Sequence, residues 1–136
     1  MAESSFAEKV NMDYARNYME EYSTDVMTGG RNERMQLYYQ LVQSLQKAEG
    51  VDIIVSFLME SGVKLLLDEL ENALQRGAKI RILTGNYLGI TQPSALYLIK
   101  SRLGDRVDLR FYNEKNRSFH PKSYMFHYVD YSELYI

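Results

Sequence analysis

The chain has 136 residues, 46% hydrophobic and 25% charged, with a formal net charge of −2 and no cysteine. That length suits one domain with its own core, and the lack of cysteine excludes both a disulfide framework and a thiolate metal site. No apolar run reaches the ~18 residues that span a bilayer. The start, MAESSFAEKVNMDYARNY, lacks a secretory signal's basic start and continuous apolar core, so a cytoplasmic location is expected.

Ser4 or Ser5 can cap a first helix over about residues 1–25, in which Phe6, Val10, Tyr14 and Tyr18 recur at helical spacing. TGGRNE (28–33) reads as a turn. A second helix is predicted over about 32–48, with Gly50 in the C′ position. VDIIVSF (51–57) is a near-continuous β-branched run, the pattern of a strand buried on both faces. Ser61 can cap the next helix, whose stripe of Val63, Leu66, Leu67, Leu70, Ala73 and Leu74 closes at Gly77. KIRILTG (79–85) predicts a second strand. Residues 91–104 predict a helix with Pro93 in its first turn and Gly104 past its end, and VDLRFY (107–112) a third strand. After the polar loop NEKNRS (113–118), KSYMFHY and ELYI predict a hairpin turning through VDYS.

Strand–helix–strand–helix–strand at this spacing requires crossover connections and a largely parallel sheet. The expected fold class is therefore α/β: a mostly parallel sheet with flanking helices, βαβαβ followed by a hairpin. Residues 1–50 read as an N-terminal helical segment packing on the α/β domain of residues 51–136, one folding unit overall. The sequence stops inside its last predicted strand, so the domain reads as incomplete at its C-terminal end.

Charge is unevenly spread along the chain. Residues 1–75 carry six Lys/Arg against thirteen Asp/Glu, and residues 76–122 carry ten against three. A basic second half favours an anionic, phosphate-bearing substrate. The plainer reading, equally open, is that the charges interleave once the chain is folded.

Both histidines of the chain fall in SFHPKSYMFH (118–127). Residues two apart on a strand share a face, so His120 and Lys122 project together at the strand's start while Pro121 points away. Its missing N–H is tolerated at a strand's first residue. A neutral imidazole beside an ammonium can divide the work of phosphoryl transfer. His120 attacks phosphorus and Lys122 holds a phosphate oxygen.

FHPKSYMF, followed by ELYI, resembles the phospholipase D superfamily, whose signature is H-x-K with a later Asp and then a G-S-x-N segment. Over residues 51–136 the likeness is to the phospholipase D-like module at the N-terminus of bacterial superfamily II DEAD/DEAH-type helicases. The resemblance implies a cofactor-free, metal-independent phosphodiesterase of nuclease type. It implies a phosphohistidine at the position matching His120 and phosphate bound at that matching Lys122. It also implies a homodimer in which one histidine attacks and its mate protonates the leaving oxygen. The partners implied are nucleic acid, DNA ahead of RNA, and a helicase motor on the same parent polypeptide, with no membrane.

The chain departs from that pattern twice. The family's Asp position falls on His127, which strand alternation turns away from His120, and Asp130 lies three residues further on. The G-S-x-N segment would follow Ile136. On this reading the chain alone has little or no activity, and a catalytically silent module for nucleic-acid binding or dimerisation stands as the alternative.

Lys115 and Arg117, in the loop before His120, are candidate contacts to a nucleic-acid backbone or a solvated basic loop. His120 and Lys122 are also readable as a surface pair, and His127 as a partly buried sheet residue. Glu60 reads as a helix-start carboxylate favoured by the macrodipole. Two histidines on opposite faces do not make a zinc site. GNYLG (85–89) lacks the G-K-[ST] of a nucleotide-binding loop. Tyr124, Phe126 and Tyr128 are expected to pack under a helix.

Overall fold

A computed structural model describes residues 36–136. The predicted helix over residues 1–25 and the turn at 28–33 lie outside the described residues. Helix α1 (Leu37–Leu45) is followed by strand β1 (Gly50–Val55), helix α2 (Glu60–Gln75), strand β2 (Lys79–Gly85), helix α3 (Pro93–Leu103) and strands β3 (Val107–Tyr112), β4 (Lys122–His127) and β5 (Ser132–Tyr135). The strands form one sheet in the order β3-β2-β1-β4-β5. β1 is parallel to β2 and β2 to β3, whereas β4 is antiparallel to both β1 and β5. β4 alone therefore runs against the other four, and the expected α/β class holds.

One face of this sheet carries the core. Val51, Ile53 and Val55 of β1, Ile80 and Ile82 of β2, Val107 of β3 and Phe126 of β4 are buried there. They lie with Leu41 and Leu45 of α1, Val63, Leu67, Leu70 and Ala73 of α2, and Ala95, Ile99 and Leu103 of α3. Tyr124 and Tyr128 pack against the same core. The opposite face presents Asp52, Ile54, Arg81, Asp108, Arg110 and His127, half-buried or exposed. β1 is thus not closed over on both faces. Its burial alternates strictly, and the apolar run looks continuous only because Ile54 occupies an outward position.

Two predicted caps are placed differently. α2 starts at Glu60, with Met59 as N-cap and Ser61 already inside the first turn. A side chain distant in sequence takes over the capping: the Glu60 N–H donates to Gln92 Oε1 at 2.7 Å. Gly50 is no helix cap but the first residue of β1, paired with His127. A Cβ there would stand 3.3 Å from His127 Cδ2, so the site demands a small residue for close approach. Gly77 and Gly104 do terminate their helices, with φ of +94° and +61°, the left-handed region that glycine enters at little cost.

The edge strand β5 is tied to α1 through a carboxylate. Glu133 Oε2 accepts hydrogen bonds from Ser44 Oγ (2.8 Å) and Tyr128 OH (2.7 Å). Burial, ahead of the nearby carboxylate, pushes the Tyr128 and Tyr135 hydroxyls up.

On the open face a chain of polar contacts crosses four strands. Arg81 forks onto Asp52 (2.6 and 2.7 Å), Asp52 meets His127 Nε2 at 2.9 Å, and His127 Nδ1 meets Ser132 Oγ at 2.9 Å. The hydrogen bond from Arg81, with that from His127, outweighs burial and holds the Asp52 carboxyl below its ordinary range. A carboxyl depressed by folding stabilises above its unfolded pKa and loses that contribution as pH falls through the folded value. Asp52→Asn should therefore cost about 1 kcal/mol at pH 6, discounted for the exposure of Arg81, and less at pH 3, below the ordinary carboxylate range. Urea midpoints at the two pH values check this. An equal deficit at both would show that the charge on Asp52 is not what matters.

Candidate functional site

The carboxyl ends of β1, β2 and β3 and the amino end of β4 form one edge of the sheet. In register, Val55 stands beside both Thr84 and Lys122, and Gly85 beside Tyr112. Open α/β sheets gather ligands outside the carboxyl ends of their parallel strands. Residues 119–122 cross this edge as the chain enters β4.

That crossing is held at three points. Phe119 stacks on Tyr112, with ring centroids 4.6 Å apart and planes 16° from parallel. Its ring also lies over Gly85, where a Cβ would come within 2.8 Å of Phe119 Cδ1. The Pro121 carbonyl accepts two hydrogen bonds from buried Ser56, one from the backbone N–H and one from Oγ, both 2.8 Å. The carbonyl of Ser56 in turn accepts the Tyr87 N–H at 3.3 Å. One serine at the end of β1 therefore positions the loops on either side of it.

Between these anchors His120 Nε2 lies 3.0 Å from Lys122 Nζ, with both residues exposed. An ammonium has no lone pair to offer, so Lys122 donates and Nε2 accepts, which places the ring proton on Nδ1. The imidazole ring also lies 4.3 Å from the Tyr87 ring, tilted 45°. The two side chains meet at the entry to β4 rather than within it. His120 and Pro121 both precede β4, which starts at Lys122. Proline has no N–H for the ladder, and its carbonyl is occupied by Ser56, so the two side chains meet across that residue.

A nucleophilic nitrogen and a cation 3.0 Å apart at an open edge can engage one tetrahedral anion together. Lys122 would exchange its hydrogen bond to Nε2 for one to a phosphate oxygen, releasing the Nε2 lone pair for attack. Among the described residues, no group of three His, Asp or Glu side chains is placed to hold a metal ion. No helix among them is long and apolar enough to cross a membrane.

The other candidate residues are scattered. Lys115 and Arg117 are exposed on the 113–118 loop, and Arg117 pairs loosely with Glu114 at 3.7 Å. Neither makes a hydrogen bond or ion pair to His120 or Lys122. His127, at the far end of β4, lies roughly 17 Å along the strand from Lys122. It is engaged by Asp52 and Ser132 on the open face. Asp130 is exposed in the hairpin turn. Glu60 pairs with Lys64, which together with a hydrogen bond from Ser94 holds its carboxyl below the ordinary range.

Much of the charge asymmetry along the sequence is closed in space. Arg81, Arg102 and Arg106 pair with Asp52, Asp68 and Glu71, while Lys100 and Arg110 pair with Asp105 and Asp108. Among the described residues Lys47, Arg76, Lys79, Lys115 and Lys122 have no acidic partner, and of these Lys122 stands at this edge with Lys115 in the loop leading to it.

Ser56, Gly85 and Tyr87 were not singled out as site residues by their sequence. Their one signal is position: each sits at or just past the carboxyl end of a parallel strand. Gly85→Ala should push the Phe119 ring off Tyr112, costing about 1–2 kcal/mol and shifting the His120 ring resonances in an NMR spectrum. An unchanged histidine spectrum would show that Phe119 does not position His120.

A family model described as "Cardiolipin synthase, PLD-like domain" matches residues 41–131. No curated protein matches the chain. Among solved structures it is similar to TrmBL2, an archaeal chromatin protein described as showing a novel mode of DNA binding. The identity is 16% and the TM-score 0.41, over 88% of this chain and 48% of that one. The chain spans about half the length of that protein.

Proposed function

Because the chain belongs to the phospholipase D-like family, we propose that it is a phosphodiesterase of nuclease type acting through His120 and Lys122. The observation that carries this reading is the 3.0 Å approach of His120 Nε2 to Lys122 Nζ at an open sheet edge. In the first step the Nε2 lone pair forms an N–P bond while the P–O bond to the leaving oxygen breaks. That oxygen departs with the electron pair and takes a proton from an acid. Lys122 offsets the charge on the non-bridging oxygens. Water then attacks the phosphohistidine, the N–P bond breaks, and His120 is regenerated.

The histidine of a second copy is the acid in this scheme, which makes a homodimer part of the proposal. So are a nucleic-acid substrate, DNA ahead of RNA, a helicase motor on the same parent polypeptide, and backbone contacts from Lys115 and Arg117.

One observation favours a silent binding or dimerisation module instead. The position of the family's Asp is held by His127, which is engaged by Asp52 and Ser132 away from the candidate site. The two readings separate in a trapping experiment. The parent polypeptide, carrying the G-S-x-N segment that the resemblance places after Ile136, is incubated with a radiolabelled single-stranded oligonucleotide in EDTA and quenched in alkali. An acid-labile, alkali-stable adduct that forms despite chelation is the expected result. Binding without adduct or cleavage would give the silent reading.

A further inference from the structure

The loop between β2 and α3 carries a feature that the phosphoryl chemistry leaves unused. Leu88, within the 3-10 turn Tyr87–Gly89, has φ +52° and ψ +22°. An L-residue avoids that region because Cβ crowds the following carbonyl. Leu88 is also 78% exposed, so the unfavourable backbone is not offset by burial of its side chain. An outlier of this kind calls for a functional explanation when the surroundings hold it in place.

Here they do. The Tyr87 N–H bonds the Ser56 carbonyl, the Gly89 N–H bonds the Asn86 carbonyl at 3.1 Å, and the Ile90 N–H bonds the Tyr87 carbonyl at 3.1 Å. Thr91 Oγ1 closes the loop's base, donating to the Gly85 carbonyl and accepting the Leu58 N–H. Tyr87, in ring contact with His120, is the residue immediately before Leu88. The Cα of an exposed apolar residue thus lies about 3.8 Å from the Cα of the residue whose ring touches the imidazole.

We infer that the Tyr87–Leu88 edge receives the nucleobase adjoining the scissile phosphate, which makes the substrate class single-stranded nucleic acid. This rests on the nuclease reading and deepens it. With the phosphate on His120 and Lys122, the adjoining group of a nucleic acid is a flat base, whose face is free for apolar contact only when unstacked from its neighbours. Lys115 and Lys122 supply cationic charge for the backbone on the same edge. The short Tyr87–Leu88 edge, between exposed Asn86 and Gly89, matches the size of one base.

The test compares wild type, Leu88→Ala and Leu88→Gly, each as the full chain. Fluorescence anisotropy measures binding to an oligothymidylate and to an abasic deoxyribose-phosphate strand of equal length. Co-sedimentation with phosphatidylglycerol vesicles runs alongside. Both variants should bind the oligothymidylate roughly tenfold more weakly, the worth of covering on the order of 50 Å² of apolar surface. Both should bind the abasic strand as wild type does. Leu88→Gly alone should raise Tm, by about 2–4 °C, because glycine relieves the backbone.

Equal losses on both strands would overturn the inference by making Leu88 a loop-shaping residue. A lower Tm in Leu88→Gly would overturn it by making the side chain a structural anchor. Loss of vesicle binding with oligonucleotide binding intact would overturn it in favour of a lipid surface. Variants that bind oligothymidylate like wild type would defeat this inference alone. A wild-type chain that binds neither strand would defeat the nuclease reading as well.

Discussion

His120→Ala should abolish the covalent adduct and lower phosphodiester cleavage by at least about a thousandfold, while leaving substrate binding within a few-fold of wild type. The nucleophile is the only group able to form the N–P bond, so its loss removes the pathway rather than slowing it. Binding survives because Lys122, relieved of its 3.0 Å contact with the imidazole, still presents its ammonium at the same edge. Lys122→Ala should behave differently. Removing one charge-stabilising donor costs on the order of 10²–10³ in rate, and the adduct should still form, slowly, on His120. Single-turnover measurements on both variants, with filter binding in parallel, separate the two roles. Adduct formation in His120→Ala would sink the assignment of the nucleophile. Equal rates for Lys122→Ala and wild type would make the lysine a bystander.

The largest loss of stability is expected from Phe126→Ala, at about 3–5 kcal/mol. Phe126 is 1% exposed, in the strand that enters from the candidate site, with Val51 opposite on β1. It meets Tyr135 of β5 edge to face, with ring centroids 5.7 Å apart. Truncation removes the buried ring and leaves a cavity that the backbone ladders on both sides keep from collapsing. For a domain whose total stability is of order 5–15 kcal/mol, that is a large share. A urea melt should show the midpoint falling sharply with the slope unchanged. Phe126→Leu should recover more than half of the loss. An alanine variant within about 1 kcal/mol of wild type would mean that this side chain is not at the centre of the core.

The elements that the sequence located best are those bounded by local steric signals. β2 and β3 fall on the predicted residues, and Gly77, Pro93 and Gly104 delimit the helices before and between them. The errors arise where a residue's role depends on what lies opposite. Ser61 is a good cap by composition, yet Gln92 supplies the acceptor from another loop. Gly50 looks like a helix stop, yet it makes room for His127 across the ladder. The apolar run of β1 suggested two covered faces, but its outward positions carry Asp52 and Ile54.

The candidate site divides the same way. His120 and Lys122 are close in the chain, so the sequence alone could nominate the pair. Ser56, Gly85, Tyr87 and Tyr112 surround them only because β4 inserts beside β1 rather than beside β3, from which it follows in the chain. Backbone preferences and hydrophobic period are properties of neighbouring residues, and the sequence by itself determined the elements they govern. Strand order is set by which burial of the whole sheet is most favourable, so the surroundings of His120 were decided by the tertiary structure alone.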